Sequence, residues 1–129
     1  MGGDLRRDPF PDFERTISIG EHFRTRNGGE VVLLSIDLWS DRITLNFAYE
    51  VTTPQLIGRE GHPHSIDWTV TDDLGTSYGW GAGGGGGSEG FHYGHAVVRP
   101  GVPAAANNLL TSSPELRRPV EIHLAPERL

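Results

Sequence analysis

The chain contains no cysteine and no lysine, and one methionine among its 129 residues. Without cysteine there is no disulfide staple, no thiolate nucleophile and no Cys-ligated zinc. Without lysine, all 11 basic residues are arginine, dispersed along the chain. No stretch approaches the roughly 20 apolar residues that cross a bilayer. The segment Pro9-Phe10-Pro11-Asp12-Phe13, which follows Arg6-Arg7, cannot serve as the hydrophobic region of a signal peptide. These absences point away from a membrane and toward a cytoplasmic setting. The net charge of -6 disfavours broad contact with a phosphate backbone. Arg6-Arg7 and Arg117-Arg118 are not interleaved with aromatics as in a nucleic-acid platform, so no nucleic-acid partner is expected.

What is present is alternation. The length suits one domain with a real core. Residues 1–14 read as a flexible lead-in, 15–125 as a single folded domain and 126–129 as a tail. A short strand is expected at Thr16–Ile19. Val31–Trp39 reads as a strand with Val32, Leu34, Ile36 and Leu38 on one face. The clearest signal is Arg42–Val51, where Ile43, Leu45, Phe47, Tyr49 and Val51 alternate with Thr44, Asn46, Ala48 and Glu50. Ile66, Trp68 and Val70 alternate likewise, and Asp72-Asp73-Leu74-Gly75 reads as a turn leading to a returning strand at Thr76–Trp80. Further strands are expected at Phe91–Val98 and Val120–Leu124, with one short helical turn within Pro103–Leu110. Seven of the ten residues from Gly81 to Gly90 are glycine. With so few side chains to pack, that run is expected to be a mobile surface loop. About seven short strands with no crossover helix indicate an all-β, antiparallel β-sandwich.

The ordered segments Ile36-Asp37-Leu38-Trp39, Ile43-Thr44-Leu45-Asn46-Phe47, Trp68 through Tyr78 and Val120-Glu121-Ile122-His123-Leu124 resemble small bacterial immunoglobulin-like domains. Such domains occur in poorly characterised proteins and beside the membrane segment of some anti-sigma factors. The resemblance implies an immunoglobulin-like sandwich and supplies no catalytic residue. The chain departs from it in lacking both a transmembrane helix and the cysteine pair of antibody-type domains.

Several side chains have the chemistry of a site. His62 and His64 flank Pro63 and would point the same way on an extended backbone, as two ligands of a metal. His92 and His95, Asp72, Asp73 and Glu89 are the other candidate ligands, the carboxylates suiting a hard cation. Each has a plainer role: exposed loop histidines, and Asp side chains that cap a turn. His92 and His95, three apart, face opposite sides of a regular strand. Trp39, Trp80 and Tyr93 are candidates for an interaction surface. The glycine run has neither the Gly-Lys-Ser/Thr ending of a nucleotide loop nor, at Ser88, the Gly-x-Ser-x-Gly elbow of a hydrolase.

No catalytic residue and no cofactor is assigned. The preferred expectation is a non-catalytic protein-interaction or oligomerisation module, pairing with a protein partner or with itself. One alternative is a small hydrolase or metal-dependent enzyme built on a His/Asp/Glu loop cluster, and another is a purely structural accessory domain.

Overall fold

The computed structural model describes residues 10–25, 29–50, 67–88, 91–114, 116 and 118–124. They form eight strands: β1 (Phe13–Arg24), β2 (Glu30–Trp39), β3 (Ile43–Glu50), β4 (Thr69–Asp72), β5 (Gly79–Ser88), β6 (Phe91–Arg99), β7 (Asn108–Ser112) and β8 (Val120–His123). A five-stranded sheet runs in the order β1-β2-β3-β6-β5, and a three-stranded sheet in the order β4-β7-β8. Every pairing is antiparallel. The chain is therefore an all-β sandwich of two antiparallel sheets.

One apolar core joins the two sheets. Leu33, Ile36, Ile43, Leu45 and Phe47 of the larger sheet cluster with Val70, Leu109, Val120 and Ile122 of the smaller one. Trp68, just before β4, lies 5.5 Å from the Phe47 ring, centroid to centroid. In β3 the expected period of two holds, with Ile43, Leu45 and Phe47 buried. The other face carries a polar ladder across three strands. Thr16 Oγ1 donates to Asp37 Oδ1 at 2.6 Å, and Asn46 Nδ2 donates to Asp37 Oδ2 at 3.0 Å.

In β2 the expected phase is half right. Ile36 and Leu38 are buried as read, but so are Val31 and Leu33, whereas Leu34 is exposed. A bulge between Leu33 and Ser35 inserts Leu34 as an extra residue against β3 and reverses the facing of everything before it. A matching irregularity lies in β1 between Ser18 and Glu21. There Gly20 has a φ of 69°, a left-handed conformation that glycine adopts without strain.

Three further expectations change. The strand predicted at Thr16–Ile19 extends over twelve residues. The turn at Asp72–Gly75 does not fold the chain back as a hairpin. It carries the chain from β4 in one sheet to β5 in the other. Pro103–Leu110 holds one turn, closed by Ala106 N–H donating to the Pro103 carbonyl at 3.0 Å, and then enters a strand that alternation over five residues left too short to read.

The largest correction concerns the glycine run. Residues 81–88, expected as a loop, belong to strand β5, paired with β6 from Gly79↔Arg99 to Ser88↔Phe91. Glycine has no side chain from which a period can be read, and its weak strand preference is overridden by a long ladder to β6, shifted once between Trp80 and Ala82. Rings from elsewhere stand in for the missing side chains. Phe47 lies across Gly94, its directly opposite partner, so closely that a Cβ there would fall 2.7 Å from the ring. The Trp80 ring lies over Gly83 in the same way, at 2.9 Å.

Candidate functional site

The inner face of the five-stranded sheet is flat and bare at its β5 end. Alternation along β6 sends His92, Gly94, Ala96 and Val98 inward, opposite Tyr49, Phe47, Leu45 and Ile43. On β5 the residues paired with them are Gly87, Gly85, Gly83 and Trp80. The result is a groove of about 370 Å³ with a floor of glycine backbone. Trp80 stands at one end, 58% exposed. Tyr49 and His92 stand at the other, stacked with centroids 5.6 Å apart at 21°. Burial pushes the Tyr49 hydroxyl pKa above its ordinary value, which keeps that hydroxyl protonated.

Among the described residues, β5 is also the outer strand of its sheet. Edge strands offer a row of backbone N–H and C=O groups to any other strand, and folded proteins usually blunt them with charge, proline, bulges or short length. The opposite edge is blunted. β1 carries Glu14, Arg15, Glu21, His22 and Arg24, and it has the Gly20 irregularity. It is tied down as well: Arg15 Nη2 donates to the Leu124 carbonyl at 2.8 Å, and Arg118 Nη2 bridges to Glu21 at 3.1 Å while its guanidinium lies over Phe23. In the smaller sheet the edges, β4 and β8, are four residues each. β5 has ten residues without charge or proline, and its one register shift lies near its start, between Trp80 and Ala82, so that Ala82–Ser88 runs without interruption.

The residues expected to form sites separate. Asp72 and Asp73 cap the turn that leaves β4. Asp72 Oδ1 accepts from the Leu74 and Thr76 amides at 2.9 and 3.0 Å, and its Oδ2 accepts from the Tyr78 hydroxyl at 2.9 Å. Desolvation opposes the charge on Asp72, but the hydrogen bonds from Thr76, Tyr78 and Leu74 outweigh it and hold the carboxyl down to about 2. The same burial and the Asp72 carboxylate push the Tyr78 pKa up. Asp73 Oδ1 accepts from the Asn107 and Asn108 amides at 2.9 and 3.1 Å, which lowers its pKa and fixes the turn against the start of β7. Both carboxylates are thus engaged by backbone.

His92 faces into the groove, and His95 faces the opposite side of the sheet beside Gly84, as the three-residue spacing requires. Among the described residues, no three His, Asp or Glu side chains come together as a cation site. His62, His64 and Glu89 lie outside the described residues. Of the aromatic candidates, Trp80 is at the groove, whereas Tyr93, 56% exposed, faces outward across from Gly86. Trp39 is elsewhere. It is half-buried beneath Phe13 and Phe10, with edge-to-face centroid distances of 5.1 and 6.4 Å. Asp12 N–H donates to Ser40 Oγ and Ser40 N–H donates to the Asp12 carbonyl, so this N-terminal stretch is strapped to the β2–β3 turn.

The groove escaped the sequence reading because its floor has no side chains. The available signal was Trp80 followed by the run and then by the alternating Phe91–Val98 strand, a spacing that also fits a hairpin.

Among the described residues, no helix is long and apolar enough to cross a membrane. Comparison with known proteins finds no family model, no curated protein and no solved structure that matches this chain.

Proposed function

We propose that this chain is a non-catalytic interaction module that takes up an added strand along β5. The carrying observation is the contrast between its edges: β1 is charged, broken in mid-strand and tied down, while β5 is uncharged, regular from Ala82 to Ser88 and bordered by an apolar groove. Strand addition draws affinity from main-chain hydrogen bonds and selectivity from pockets that receive alternate side chains. The backbone row of β5 supplies the first, and the space between Trp80 and Tyr49 supplies the second. An immunoglobulin-like character is part of the same proposal, supported at the level of two packed antiparallel sheets. So is a reducing, cytoplasmic setting, which suits a chain without cysteine.

The test uses that absence. A photo-reactive maleimide is attached to Gly86→Cys, where a Cβ meets open space, and for comparison to Glu21→Cys on β1. Strand addition predicts cross-linked products from β5, to this chain or another, and few from β1. Equal yields from both edges, or none from β5, would sink the reading.

A further inference from the structure

We infer that the strand added to β5 is β5 of a second copy of this chain, paired antiparallel about a two-fold axis, with Trp80 of each copy laid in the groove of the other. This inference rests on the strand-addition reading above and names its partner.

The edges restrict the possible assemblies. Pairing β5 with β1 of another copy would repeat head to tail into an open filament. The charges and irregularity of β1, with Arg15 and Arg118 fastened across it, oppose that. The four-residue strands β4 and β8 are too short to match ten residues. Pairing of β5 with itself closes after two copies and uses an edge that no described strand covers in either.

Strand geometry then sets the register. Directly opposite residues of an antiparallel pair face the same side of the sheet. The two-fold axis must therefore pass where a residue meets its own copy. The ladder to β6 skips Gly81 as a bulge, and with that residue set aside centring on Gly84 places Trp80 opposite Gly87 and gives the longest overlap, nine paired positions from Gly79 to Ser88. Gly84 is on the outer face, since it pairs with His95. In that register each Trp80 comes alongside the Gly87 end of the other β5, on the face that holds Tyr49 and His92. The glycine floor leaves room for the ring, and the Tyr49–His92 stack offers it an aromatic neighbour.

The area requires Trp80. Nine residues at about 3.4 Å each make an edge roughly 30 Å long, and with a sheet about 10 Å thick the strip covers roughly 300 Å² per copy. A specific interface needs about 1,000 Å² in total. The edge alone falls short. Two tryptophans, each 58% exposed and so with roughly 150 Å² left to bury, together with similar area covered on the groove, bring the total to that bound. Charge does not oppose the contact locally, because β5 carries none.

The experiment combines sedimentation of the intact chain with oxidative trapping. Gly84→Cys places one thiol per copy at the axis, where the only near neighbour of the new Cβ is the end of the His95 ring. The expected results are a reversible dimer of the wild-type chain and a disulfide-linked dimer of Gly84→Cys. Glu21→Cys is expected to give none. Trp80→Ala, with its circular dichroism unchanged, is expected to raise the dimer dissociation constant at least tenfold. A wild-type chain that stays monomeric to millimolar concentration while Gly84→Cys remains unlinked overturns the second copy. The photo-cross-links from Gly86→Cys to other proteins then judge the strand-addition reading separately. A dimer indifferent to Trp80→Ala overturns the exchange of tryptophans.

Discussion

At the scale of single residues, close contacts make separable predictions. A methyl group at Gly94 has no place to go, because the Phe47 ring already covers that position. Gly94→Ala is expected to cost about 1–3 kcal/mol, the usual range for overpacking. In the Phe47→Leu background the same change should cost less, and urea melts of the four chains give the coupling directly. Thr111 makes the converse case. It is 1% exposed, and its hydroxyl has no hydrogen-bond partner among the described residues. Thr111→Val keeps the shape and removes an unsatisfied polar atom, so stability should hold or rise by about 1 kcal/mol. Asp72 sets the acid limit of the turn. Its folded pKa lies below its ordinary value of 3.8, so its stabilising effect is complete above that value and is lost as pH falls toward about 2. Asp72→Asn should flatten the stability–pH curve across that window, as followed by thermal melts between pH 5 and 2.

At the scale of elements, β2 and β5 show what the sequence can and cannot reveal. In β3, Ile43, Leu45 and Phe47 alternate without interruption, and the strand could be placed and oriented from its residues alone. In β2 every residue from Val31 to Leu34 is apolar, so both phases fit, and only the bulge decides between them. Substitution can check that decision. Leu33→Ala should cost about 2–5 kcal/mol, while Leu34→Ala should change stability by no more than about 0.5 kcal/mol. Uninterrupted alternation would give the opposite ranking. β5 fails for another reason: a strand of glycines has no pattern, and the information that makes it a strand sits in β6, Phe47 and Trp80. The candidate site inherited that blindness. Trp80 was legible as an aromatic beside the run, but its groove required knowing that the run lies flat. The Asp72–Asp73 turn was legible in its plainer role, since adjacent Asp residues before Leu-Gly are natural caps.

At the scale of the whole molecule, charge and assembly meet. Each copy carries -6, so two copies repel at long range although their shared strand is neutral. Added salt screens that repulsion. The dimer dissociation constant should therefore fall as salt rises, the reverse of an interface held by ion pairs, and sedimentation across a salt series measures it. The glycine strand has a last consequence, for the tolerance of the chain to mutation. From Gly83 to Gly87 the letters are identical, but their surroundings are not. A side chain at Gly83 runs into Trp80 and one at Gly85 into the backbone of Tyr93, whereas Gly84 faces only the movable tip of His95 and Gly86 faces open space. A saturation scan of folded yield through this homopolymer should rise and fall with a period of two. Selection acting on a uniform run would thus be anything but uniform, and the hidden rhythm of the strand would be written in which glycines can be lost.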